Sequence, residues 1–103
     1  MILTVQSTGR NSYRLGINLQ DSINTFNSER GASVNLIVGE LELQIKTTCG
    51  PPLSKGFDLY SKALSIWIVQ NNHNGYLPGQ PTKLNFDYHM AEDVHTLTFV
   101  NAL

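Results

Sequence analysis

The chain has 103 residues, a length that predicts one domain with little room for a second core. Seven Lys and Arg against eight Asp and Glu leave a formal charge of −1 with no block of like sign, which argues against a dedicated nucleic-acid binder or a polybasic membrane anchor. Leu, Ile, Val and Phe together number 30, enough to drive collapse, while Ser, Thr, Asn and Gln number 31, a bias toward turns and strands that some phage and virion proteins share.

Cys49 is the only cysteine, so no intrachain disulfide can form and a cytoplasmic home is the expectation. The amino terminus MILTVQSTGR has no basic region and only a short apolar run, unlike a signal peptide or a membrane span. None of the ten asparagines lies in an Asn-x-Ser/Thr acceptor.

The first segment reads as a hairpin, Met1 to Gln6 and Ser12 to Leu19 around a five-residue loop, with Val5 opposite Tyr13 and Leu3 opposite Leu15. Asp21-Ser22 then can cap a helix that buries Ile23 and Phe26, with Arg30 in its last turn and Gly31 at its exit. The middle hairpin is the better specified. Ser33 to Val38 and Leu41 to Thr47 flank Gly39-Glu40, a two-residue loop with glycine first, as a type II′ turn requires. It pairs Val38 with Leu41, Leu36 with Leu43 and Val34 with Ile45, leaving Ile37, Asn35 and Ser33 opposite Glu42, Gln44 and Lys46 on a wetter face.

Leu53, Phe57, Tyr60, Leu64 and Trp67 recur at helical spacing, with Asp58 and Lys62 placed as an i,i+4 pair, and this favours a second helix. Against it, Ala63 to Val69 is a β-branched and aromatic run that could equally form a buried strand. Asn71 to Lys83 is a 13-residue loop in which Asn74-Gly75 would supply the positive-φ positions. The last hairpin pairs Thr82 to Met90 with His95 to Asn101 across Ala91-Glu92-Asp93-Val94. Tyr88 then meets Leu97 and Phe86 meets Phe99, while Asn85, Asp87 and His89 oppose Val100, Thr98 and Thr96. The order is ββαββαββ: an α+β fold with a predominantly antiparallel sheet of about six strands in three hairpins, and one or two helices packed on it or curled inside a barrel.

Signals for chemistry are sparse. Asp87 and His89 point to the same side of a strand, where a carboxylate can orient an imidazole as a general base; the same positions suit a merely solvated face. His95 falls on the apolar face opposite Met90, and Tyr60, Trp67, Tyr76 and Tyr88 are the aromatics that could line a pocket it reaches. The three histidines lack metal-ligand spacing and no glycine-rich phosphate loop occurs, so neither a metal nor a cofactor is expected. Cys49, in Thr48-Cys49-Gly50-Pro51, reads as an ordinary thiol where a strand gives way to a turn.

Ile2, Ile37 and Val100 fall on outward faces, and in so small a domain a second surface is needed to cover them unless a single closed barrel buries them without a partner. The leading expectation is a non-enzymatic binding or interaction module acting as a homodimer, with a protein partner and without nucleic acid or membrane. The alternative is a small α+β-barrel enzyme or carrier with an apolar pocket near His95, and a third is a phage or virion structural component.

Overall fold

The computed structural model describes residues 1–26, 31–48, 56–75 and 79–103. Among the described residues seven strands and two helices follow in the order ββαβββαββ: β1 (Ile2–Gly9), β2 (Ser12–Ile17), α1 (Leu19–Phe26), β3 (Ser33–Val38), β4 (Leu41–Lys46), β5 (Phe57–Leu59), α2 (Lys62–Gln70), β6 (Lys83–Ala91) and β7 (Val94–Ala102). All strands join one sheet in the order β4-β3-β7-β6-β1-β2-β5. Every pairing is antiparallel except β3 with β7, which runs parallel and sets Val34 beside His95 and Leu36 beside Leu97. The sheet curls until its two edges nearly meet. Beyond the end of β4, Thr48 forms an isolated antiparallel bridge with Asp58 of β5, so the α+β fold is a barrel closed at one point.

The middle hairpin has the expected register, Val38 with Leu41 through Ser33 with Lys46. Gly39 sits at φ +61° while Glu40 stays out of the left-handed region, as a type II′ turn demands. The last hairpin also keeps Phe86 with Phe99 and Tyr88 with Leu97, but its strands run one pair further. Ala91 pairs with Val94, and the turn is the two residues Glu92-Asp93, both at positive φ as in a type I′ turn. At the other end a bulge between Asn85 and Phe86 moves Asn85 from the expected Val100 to Asn101.

The first hairpin is offset by two residues from the sequence reading. Leu3 pairs with Ile17 and Val5 with Leu15, because β1 runs on to Gly9 and turns at Arg10-Asn11, with Asn11 at φ 55° and an irregularity between Ser7 and Gly9. An offset of two leaves the same residues on the same face, so Leu3, Val5, Leu15 and Ile17 are still all buried.

Helix α1 starts two residues before the expected cap. Asn18 takes the capping role, its Oδ1 accepting from the Asp21 N–H, and the buried residues are Ser22 and Phe26, while Ile23 is 42% exposed. Arg30 lies outside the described residues. The second helix is real from Lys62 on, capped by Ser61, whose Oγ accepts from Leu64 N–H. Its expected first half is instead β5, where Phe57 and Leu59 are buried on alternate positions and Asp58 pairs with Arg14 rather than Lys62. Leu53 and Cys49 fall outside the described residues. Gly56 precedes β5 at φ +87°, and a Cβ there would lie 2.0 Å from the Ile17 carbonyl oxygen, so only glycine fits.

Each helix is tied to the strands by a serine. Ser22 Oγ, fully buried, accepts from Phe57 N–H at 2.9 Å and bonds the Asn18 carbonyl at 2.8 Å. Ser65 Oγ accepts from Tyr13 N–H at 2.9 Å. The barrel interior is filled by Leu3, Leu15, Leu36, Phe57, Leu84, Phe86 and Leu97, all without solvent exposure. Phe26 of α1 packs at the start of β7, on His95, and Trp67 of α2 toward the other end of that strand, on Phe99.

Candidate functional site

Tyr88 on β6 and His95 on β7 lie on the inner face near the β6–β7 turn, both half-buried. The Tyr88 hydroxyl is 2.7 Å from His95 Nδ1; when Nδ1 carries no proton, the hydroxyl donates to it. Burial raises the Tyr88 pKa above its ordinary 10.0, which keeps that hydroxyl protonated as a donor. Phe26 covers the pair, its ring centroid 4.8 Å from His95 and 6.4 Å from Tyr88, and reaches Phe57 at 6.2 Å. The hydroxyl thus serves the imidazole as a hydrogen-bond partner under the cover of Phe26.

Four residues along β7 from His95, about 13 Å for an extended strand, Phe99 belongs to a different cluster. Trp67 stacks on it edge-to-face at 5.0 Å, and His73, in the turn after α2, packs 5.0 Å from Trp67 and 5.5 Å from Phe99. Desolvation lowers the His73 pKa below 6.5. Beside His73 lies a small recess of about 10 Å³, room for no more than one water, lined by Val5, Ser7, Tyr13, His73, Asn74 and Thr82. The turn takes its positive φ at Asn72 (59°) and not at the expected Asn74-Gly75.

Of the five aromatic and imidazole residues expected around one pocket, the fold brings Tyr88 and His95 together. Trp67 stands at the opposite end of the barrel, Tyr60 is an exposed residue whose hydroxyl is 3.5 Å from Ser12 Oγ, and Tyr76 lies outside the described residues. Asp87 and His89 are exposed on the outer face, paired with Thr98 and Thr96 as the register required. Among the described residues no group of three or more His, Cys, Asp or Glu gathers to hold a metal ion. No described helix is long and apolar enough to cross a membrane. Phe26 over His95 has no signature in local spacing, since it joins elements distant in the chain, whereas His73 reaches back to Trp67 through the turn that ends α2.

On the outer face, Ile2 is 44% and Val100 48% exposed, while Ile37, beside Thr98 of β7 and Glu42 of β4, is half-buried. Comparison with protein-family models, with curated proteins and with solved structures gives no match.

Proposed function

We propose that the chain is a non-catalytic interaction module that works as a homodimer in the cytoplasm, where the lone Cys49 thiol stays reduced. The observation that carries this is the placement of Ile2, Ile37 and Val100 on the outer face of a sheet whose inner face is already filled, so that only another surface can cover them. Single exposed apolar residues are ordinary. Here they share one face with Thr98 and Asn85, with Glu42 beside Ile37 and Asp87 beside Thr98, and a net charge of −1 leaves little overall repulsion between copies.

Light scattering after size exclusion tests this over a range of concentrations. The expected mass is twice 11.5 kDa, and Ile37→Lys is expected to weaken the association. A single species of 11.5 kDa at every concentration would reject the reading.

A second reading, ligand binding beside His95, is favoured by the 2.7 Å contact between Tyr88 and His95 under Phe26. Small polar metabolites titrated into the protein should then perturb the NMR signals of the His95 ring, and Tyr88→Phe should abolish the effect. Unchanged His95 signals across such a panel would leave the interaction module alone.

A further inference from the structure

Asn71, Asn72 and Asn74 lie in the turn that follows α2, and they differ in what the next peptide N–H does. The Asn72 N–H bonds the Val69 carbonyl at 3.1 Å and the His73 N–H bonds the Ile68 carbonyl at 2.9 Å. The peptide nitrogens after Asn71 and Asn72 are thus both tied into the end of the helix. After Asn74 comes Gly75, and among the described residues no hydrogen bond engages its N–H. Gly75 is exposed, and a Cβ built on it meets nothing within 4 Å. The positive φ of the turn falls on Asn72, so Asn74-Gly75 is free of the geometry that a tight turn would impose.

An asparagine side-chain amide can be attacked by the peptide nitrogen of the next residue, and glycine, having no Cβ, crowds that approach least. The Gly75 nitrogen gives up its proton and bonds to Asn74 Cγ; the Cγ–Nδ2 bond breaks, and Nδ2 takes up a proton and leaves as ammonia. Water then opens the resulting succinimide at either of its two carbonyls. One opening gives aspartate, the other an isoaspartyl link in which the main chain runs through the β-carbon. The balance is amide plus water to acid plus ammonia, with no oxidant or cofactor. Elsewhere the fold ties down the nitrogen that would attack: Asn11, for example, precedes Ser12, which is paired with Gly9 across the first hairpin.

We propose that Asn74 is a site of spontaneous deamidation in the folded protein, and that the carboxylate it gains acts on His73. The two side chains line the same small recess, where Tyr13 is the other titratable group. The remaining neighbours of the His73 ring, Trp67 and Phe99, carry no charge. A carboxylate beside the imidazole favours its protonated form and so opposes the desolvation that lowers the His73 pKa. Deamidation therefore adds a negative charge to a chain of formal charge −1 and lets His73 take up a proton at higher pH. The isoaspartyl product also inserts a main-chain atom just before Gly75, whose carbonyl accepts from Thr82 Oγ1 at 2.6 Å, and loosens that anchor. Neither effect depends on association of the chain.

The test incubates the full folded chain at mildly alkaline pH and body temperature in water enriched in heavy oxygen. Peptide mass spectrometry should place the exchange of NH for heavy oxygen at Asn74, in both isomeric forms, with Asn71 and Asn72 intact. Gly75→Ala, whose added methyl group meets open space, should slow the conversion severalfold while circular dichroism shows the fold unchanged. Parallel incubation in urea supplies the unfolded reference. An Asn74 that converts in urea and stays intact in the folded chain overturns the site, and so does conversion spread evenly over Asn71, Asn72 and Asn74. For the action on His73, NMR titration of its ring should give a higher pKa in Asn74→Asp than in the wild type, and a wild-type pKa in Asn74→Gln. Equal values in the two variants would overturn that action and leave the deamidation standing.

Discussion

Thr48 and Asp58 exchange both backbone hydrogen bonds, at 2.9 and 2.6 Å, and this is where the two ends of the seven-stranded sheet meet. The Asp58 side chain lies at the closure point with Arg14 Nη1 3.4 Å away. Burial raises its pKa above 3.8, and the Arg14 charge offsets only part of that. A carboxyl whose pKa is raised on folding costs stability while it is ionised. That cost is present at neutral pH and is relieved as pH falls through the raised folded-state value to below 3.8.

Asp58→Asn is therefore expected to match or exceed the wild type in denaturant midpoint at pH 7, and to lose that advantage by about pH 3. Urea titrations at the two pH values check this. A variant less stable at pH 7 than at pH 3, relative to wild type, would mean that the Arg14 pair outweighs desolvation.

Ser22 is the buried link between α1 and β5. Ser22→Ala leaves the Phe57 N–H without its acceptor in a region closed to water, and should cost about 1–3 kcal/mol. The measurement is a shift of the urea midpoint with an unchanged slope. A change within a few tenths of a kcal/mol would show that Phe57 N–H finds another partner.

His73 is held between Trp67 and Phe99, and desolvation lowers its pKa below 6.5. Its contribution to stability is full above 6.5 and is lost as pH falls from there through the folded-state value, because the unfolded chain takes up the proton first. His73→Phe keeps the aromatic contact and removes the titration. The melting temperature of the variant should fall less than that of the wild type between pH 7.5 and 5.

Gly56→Ala should destabilise by about 2 kcal/mol or more, since it combines a positive φ with a Cβ placed 2.0 Å from the Ile17 carbonyl oxygen. Gly31→Ala is the control for φ alone, having φ +72° with open space around the Cβ. The two melting temperatures separate crowding from backbone strain, and equal losses would show that crowding at Gly56 is relieved by movement of the chain.

The sequence by itself determined the middle and last hairpins and the sidedness of nearly every strand. One face of Ser33–Val38 and Lys83–Ala91 is apolar, and a shift of one residue would expose it, so the pattern admits few registers. A shift of two keeps every side chain on its face, which is why the first hairpin was legible in its faces and not in its pairing. The short strand Phe57–Leu59 was hidden because Phe57, with Tyr60 just beyond the strand, continues the helical spacing of Leu64 and Trp67. Only the tertiary structure decided that β3 runs parallel to β7, that Thr48 reaches Asp58, and that Phe26 covers His95 while Trp67 packs on Phe99. Strand edges carry the same peptide groups whatever their sequence. The choice among partners is made by closure of the barrel and by which side chains fill its two ends.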